Sequence, residues 1–229
     1  MILTAHQPSY LPWLGLINKI MKADLFCYFD CVQYQKKEYD NRNSIKTNSG
    51  ILKLSVPVES KNHLTKKINE IRIINKGWNK KHIKSIKLAY KKSKYFDNYF
   101  PELENILKNK HDKLTDLNFK ILKFLLKSFK ITTPVVLASD YNFEGSKSSL
   151  VLDMCKKLKA KEYIFGGEGK NYANVKEFTK NNIKLHFQVF NHPIYNQLYG
   201  KFVPNLSSID LLFNEGSNSS KILSKANLL

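Results

Sequence analysis

The first thirty residues constrain the fold more than any other stretch, because they read as strand, helix and strand in immediate succession. Met1 to Ala5 is a short apolar run. Trp13 to Met21 carries Leu14, Ile17 and Met21 at helical spacing, and Asp24 to Asp30 is apolar almost throughout. Strands joined this closely through a helix run parallel with a right-handed crossover. An open parallel sheet collects ligands at the carboxyl ends of its strands, and His6 and Asp30 both fall at that edge. The expected fold is α/β, a mostly parallel central sheet flanked by helices in a Rossmann-like layout.

The rest of the chain continues this grammar with one interruption. Ile51 to Val58 and Glu70 to Ile74 have strand composition around a polar segment, which suggests a hairpin. A helical insertion is expected at about 79–130. Asn79 is a plausible cap for a helix through Lys92 that shows Ile83, Ile86 and Tyr90 on one face. Asp112 opens a longer helix with Leu114, Leu117, Ile121 and Leu125. Thr133 to Asp140 is apolar enough for a strand, Ser146 caps a helix facing inward with Leu150, Met154 and Leu158, and Glu162 to Phe165 is a strand ending at Gly166-Gly167. Lys184 to Phe190 supplies a last strand, and Ser207 with Asp210 resembles a capping box opening a helix over 208–214. A single domain over residues 1–214 with a polar tail over 215–229 is the expected organisation.

Composition narrows the function classes. With 42% apolar and 25% charged residues in 229, the chain can bury a substantial core. No apolar run approaches the roughly 20 residues that span a bilayer, and no basic region precedes the first strand, so a soluble, cytoplasmic protein is expected. Cys27, Cys31 and Cys155 cannot all pair and do not have the spacing of a zinc site, so reduced thiols are expected and no metal is called for. The net charge of +19 invites a nucleic-acid reading. Against it, Arg42 and Arg72 are the only arginines among 38 basic residues, and lysine recurs with Asn and Ile over solvated stretches such as 79–92 and 108–123.

Three clusters can carry chemistry. The first follows the first strand: His6 as a general base or phosphate ligand, Gln7 as a two-way hydrogen-bonding amide, Ser9, and the flat rings of Tyr10 and Trp13, stiffened by Pro8 and Pro12. The competing role for His6 is that of a buried imidazole satisfied by backbone. The second cluster is Asp30, Gln33, Tyr34, Lys36 and Lys37, then Asp40-Asn41-Arg42-Asn43. In a lysine-rich chain Arg42 suggests a planar fork for carboxylate or phosphate, whereas a plain turn would use Asn41 and Asn43 to satisfy its backbone. The third cluster is Gly166-Gly167-Glu168-Gly169-Lys170-Asn171-Tyr172, whose amides and lysine can cradle phosphate, although it matches neither the Walker nor the dinucleotide glycine pattern. A left-handed turn would demand glycines as well. His6, Gln7 and Arg42 are the catalytic candidates, and Ser9, Tyr10, Trp13, Asp30, Gln33, Asn41, Asn43, Gly166, Gly167, Gly169, Lys170 and Tyr172 the substrate-binding ones. His186 reads as structural, His63, His82 and His111 as surface or helical, and His192 as a weaker candidate.

With these segments in hand, the chain resembles the WbqC-like protein family. His6-Gln7-Pro8-Ser9-Tyr10-Leu11-Pro12-Trp13-Leu14-Gly15 is similar to its N-terminal signature, Asn41-Arg42-Asn43 to its asparagine-arginine-asparagine element, and Gly166 to Tyr172 to its glycine-rich loop. Phe202 to Ser207 and Asp210 to Asn214 are similar to its C-terminal block, which adds Asp210 to the substrate-binding candidates. Ser44 and Ser208 depart from the family pattern, which has a basic and an aliphatic residue there. The resemblance implies a bacterial protein of surface-polysaccharide synthesis, where nucleotide-linked amino sugars are made and modified. The expected reaction is amide formation on such a sugar from an acyl or aminoacyl donor. The N-terminal layout is also similar to pantothenate synthetase and its relatives, which make an acyl-adenylate from ATP, although their second glycine-histidine pair is missing here. A charged tRNA is the alternative donor. The competing class is a non-catalytic accessory protein that binds a nucleotide sugar or glycan.

Overall fold

A computed structural model describes residues 1–36, 38–59, 61 and 65–226. The opening grammar produces β1 (Ile2–His6), α1 (Leu14–Met21) and β2 (Leu25–Tyr28), with β1 and β2 parallel and His6 aligned with Tyr28. A hairpin follows, β3 (Arg42–Thr47) and β4 (Gly50–Ser55), and then three helices, α2 (Trp78–Tyr90), α3 (Phe96–Lys108) and α4 (Leu114–Ser128). Strand and helix then alternate through β5 (Val135–Leu137), α5 (Lys147–Lys157), β6 (Glu162–Phe165), α6 (Val175–Lys180) and β7 (Lys184–Phe187). The chain closes with α7 (Ile209–Glu215) and α8 (Ser219–Ser224).

The five parallel strands lie in the order β5-β2-β1-β6-β7. The chain first builds outward from β1 through β2 to β5, then returns to the other side of β1 with β6 and β7. That reversal makes the gap beyond the carboxyl ends of β1 and β6 the topological switch point, where doubly wound sheets bind ligands. Both faces of the sheet are covered, so its strands bury alternate residues in two separate cores. On β2, Phe26 and Tyr28 face the larger core with α1 and the helical insertion, while Cys27 faces the second core with Leu3, Met154, Phe165 and Phe178.

Several expectations change form. The first hairpin pairs Arg42–Thr47 with Gly50–Ser55, and the Glu70 to Ile74 segment meets the chain after it only through an isolated bridge, Val58 to Ile73. The insertion contains α3 as well, whose Phe96, Phe100, Leu103 and Leu107 form one buried stripe despite Pro101 inside it. Asn79 lies inside α2, which Gly77 caps in a left-handed conformation, and α4 starts at Leu114, after Asp112. The strand expected over 133–140 is confined to Val135–Leu137, followed by a 3₁₀ turn. Ser208 takes the cap position of α7. The polar tail expected from 215 is instead folded onto the domain: Leu223 of α8 is fully buried, and its carbonyl accepts from Asn18 Nδ2 of α1. His63 and Lys37 lie outside the described residues. Among the described residues no helix is long and apolar enough to cross a membrane.

Candidate functional site

A cavity of about 560 Å³ opens at the switch point, within the roughly 300–1,000 Å³ typical of small-molecule sites. Its walls come from the end of β1 (His6, Gln7), α1 and its N-cap (Trp13, Gly15, Lys19), the loop after β6 (Gly166 to Gly169, Tyr172) and the segment after β7 (Gln188, Phe190). His6 is half-buried as the last residue of β1. Its Nδ1–H donates to the Gln7 carbonyl at 2.7 Å, which sets the tautomer and leaves Nε2 without a protein partner among the described residues. Burial, with a smaller push from the Lys19 charge, lowers its pKa to about 3, so the imidazole is neutral. The Trp13 ring stands edge-on to it with centroids 5.3 Å apart. Gly15 permits this approach, because a Cβ there would stand 3.0 Å from the Trp13 indole nitrogen.

Lys19 is the residue that sequence reading missed. It is 5% exposed, its ammonium donates to the Ala5 carbonyl at 3.0 Å, and it has no carboxylate partner among the described residues. Burial lowers its pKa to about 8, which leaves most of its charge in place at neutral pH. Spacing along α1 did not mark it, because Leu14 to Ile20 are all buried only through what packs around the helix. Gln188 anchors the opposite wall through bonds to the Gly15 carbonyl and Asn18 Oδ1.

The glycine loop contributes backbone. Gly166 borders open space, a Cβ at Gly167 would stand 3.8 Å from the Gln188 carbonyl oxygen, and Gly167 and Glu168 open a 3₁₀ turn whose first amides lack an intrahelical partner. Gly169 is a packing requirement, since a Cβ there would lie 2.4 Å from Cβ of Phe165.

A second pocket of about 230 Å³ adjoins the first and shares Asn205 with it. Arg42 and Tyr39 line it, and the Tyr39 ring lies 4.8 Å from Trp13, so this aromatic pair stands between the two spaces. Among the described residues no group of three or more His, Cys, Asp or Glu is placed to hold a metal ion.

The family model for the WbqC-like protein family matches residues 7–222. The chain belongs to the WbqC-like protein family. It is also 31% identical over 215 residues to an uncharacterized Mycobacterium tuberculosis protein, Rv1507c, covering 93% of each chain. No solved structure matches it.

In this WbqC-like protein the three clusters of sequence candidates play different parts. His6, Gln7, Trp13, Gly166, Gly167, Gly169 and Tyr172 line the cavity. Arg42 and Asn43 border the adjoining pocket, but the Asn43 amide is spent on the Leu11 carbonyl. Asn41 is buried and bonds the Val56 carbonyl, so the turn-satisfying role expected as its alternative describes both asparagines. Asp40, fully buried, accepts from Gln7 Nε2 at 2.9 Å, and the Tyr10 amide donates to the Tyr39 carbonyl. Asp40 and Asn43 of the second cluster thus fasten the first in place.

The remaining candidates lie elsewhere. Tyr10 is fully buried, its hydroxyl donating to Nδ1 of His82, which burial holds neutral with a pKa near 4. Ser9 is buried, and Asp30 accepts from both the amide and the hydroxyl of Ser139. Gln33 is exposed and bridges to Lys67. Asp210 accepts from Tyr90 and Gln197 in a buried network that tethers the C-terminal block. Lys170 is exposed, near the Phe187 ring, and does not line the cavity. Lys19 provides the cation that Lys170 does not.

Proposed function

We propose that the cavity binds a nucleotide-linked amino sugar of bacterial surface-polysaccharide synthesis, and that the protein joins an acyl or aminoacyl group to the sugar nitrogen. The observation that carries this reading is the presence, in one cavity, of a neutral His6 with a free Nε2 and a buried Lys19 ammonium without a carboxylate partner. An unpaired buried charge is costly, and a phosphate beside Lys19 would offset that cost. The Gly167 and Glu168 amides offer further donors, while Trp13, Tyr39 and Phe190 offer surfaces for a base or sugar ring.

In the reaction, the sugar nitrogen attacks the acyl carbonyl carbon, a C–N bond forms, and the bond from that carbon to the donor's leaving group breaks. The proton released from nitrogen passes to Nε2 of His6 and from there to the leaving group or water. Lys19 lowers the basicity of His6 in the empty site, and a bound phosphate acts in the opposite sense, so His6 becomes a better base when substrate arrives. An acyl-adenylate made from ATP and a charged tRNA are the two donors carried forward from the sequence.

One observation favours a second reading, a nucleotide-sugar binding protein without turnover: an imidazole whose pKa lies near 3 serves as a hydrogen-bond partner without titrating. Mass spectrometry of products from nucleotide-linked amino sugars with amino acid and ATP, acyl-CoA or charged tRNA, beside calorimetry of sugar-nucleotide binding, separates the two. An amide product that His6→Asn abolishes while binding persists supports transfer. Binding without product from any donor supports the accessory role, and absence of binding sinks both.

A further inference from the structure

We infer that the pocket beside the cavity is a separate anion subsite, built on Arg42, that holds a carboxylate or phosphate group of the acyl donor while the sugar nucleotide occupies the cavity. The identity of the donor rests on the transfer reading above, whereas the subsite rests on its own geometry.

The β3–β4 register pairs Arg42 with Ser55 and Ser44 with Lys53, so Arg42 and Lys53 are diagonal neighbours on one face of the hairpin. Both line the pocket. Asn43, between Arg42 and Ser44, turns its side chain into the protein, as alternation along a strand requires. Nε of Arg42 is shielded from solvent and has no hydrogen-bond partner. Neither Arg42 nor Lys53 makes an ion pair among the described residues, and Glu38, which also lines the pocket, pairs with neither. Two cations facing one carboxylate leave the pocket net positive.

A shielded guanidinium N–H without an acceptor carries a desolvation cost that a native structure seldom tolerates unless something binds there. A planar carboxylate or a phosphate supplies two acceptors in the fork geometry of arginine, and a neutral group does not. The Trp13–Tyr39 pair separates this pocket from the cavity, and Asn205, held at φ +60°, borders both. A donor anchored by its anion at Arg42 therefore reaches the cavity past Asn205.

Arg72, exposed and distant in sequence, is the chain's other arginine and an internal control. The full-length wild-type protein is treated with phenylglyoxal, and adducts at Arg42 and Arg72 are quantified by peptide mass spectrometry. The arms contain N-acetylglycine, inorganic phosphate or the neutral N-acetylglycinamide, each with and without a saturating nucleotide-linked amino sugar. The expected result is selective slowing of Arg42 labelling by an anionic probe, roughly threefold at twice its Kd, with the neutral amide ineffective. Protection by N-acetylglycine alone identifies a carboxylate ligand, and protection by phosphate alone a phosphorylated one. Equal labelling of both arginines in every arm, or protection by the neutral amide, overturns the subsite. Anion protection of Arg42 in a protein that forms no amide from any donor leaves the subsite standing and removes the transfer reading instead.

Discussion

The side-chain amide of Asn43 donates to the Leu11 carbonyl at 2.5 Å, and Leu11 stands in the left-handed region with φ +46°. Leu11 is fully buried, so neither water nor a glycine relieves that conformation. Asn43 also accepts from the Ser44 amide, which orients its side chain, and through the Leu11 bond the β3 strand pins the turn between His6 and Trp13. Asn43→Ala leaves a buried carbonyl unpaired and is expected to cost about 1–3 kcal/mol, with sugar-nucleotide affinity falling as the turn loosens. A shift of the denaturant midpoint at unchanged slope, combined with calorimetry, checks both effects.

Asp40 gives the protein a distinctive pH dependence. Burial raises its pKa from the ordinary carboxylate range to about 7, although its bonds from the Gln35 amide and Gln7 partly oppose the rise. The folded state therefore holds this proton more tightly than the unfolded chain. The stability it contributes is complete below about pH 4 and lost as pH rises through about 7. His6 and His82, whose pKa values are depressed, act with the opposite sign over much of the same range. The difference between wild type and Asp40→Asn isolates the carboxyl: the advantage of the wild type should shrink steadily from pH 4 to 7. A difference that is flat with pH would refute the assignment.

Lys19 should matter to ligands more than to the fold. Lys19→Met removes a buried charge without a carboxylate partner, so thermal stability at neutral pH is expected to hold or rise. Affinity for a sugar nucleotide should fall about 10- to 100-fold, the value of one charge-assisted hydrogen bond. Because burial sets the Lys19 pKa at about 8, wild-type affinity should decline above that pH, whereas Lys19→Arg, if it binds, should move the decline upward. Titration calorimetry between pH 6 and 10 reads all of this.

The two ends of the glycine loop should respond differently to alanine. At Gly169 the added Cβ meets Phe165 at 2.4 Å, and a loss of about 1–3 kcal/mol is expected. At Gly167 the nearest atom is the Gln188 carbonyl oxygen at 3.8 Å, so the fold should tolerate the change. Thermal melts should therefore separate the two variants, while a methyl at Gly167 is expected to alter ligand affinity alone.

Local patterning carried much of the architecture. The βαβ opening, the later strands and the stripes of α4 and α5 follow from spacing along neighbouring residues, which is enough to specify a parallel sheet with helices on both faces. The placement of His6 also followed, because the end of a parallel strand is a site in any such fold. Helix α3 was not read from the sequence, although Phe96, Phe100, Leu103 and Leu107 have helical spacing, and Pro101 inside it is the contrary signal.

The site itself is a matter of long-range packing. The glycine loop joins His6 because β6 inserts beside β1, pairing Thr4 with Ile164 across most of the chain. Asn43 and Asp40 look like ligand contacts in one dimension, yet their side chains are consumed by Leu11 and Gln7, partners set by how the hairpin docks on the first turn. Lys19 looks like an ordinary helix lysine until the sheet, α8 and the segment after β7 enclose α1 and exclude water from it. Spacing along a chain encodes which face of an element is apolar. Whether a polar group on that element meets a partner, solvent or an open cavity depends on what packs opposite it, and those neighbours come from remote parts of the sequence.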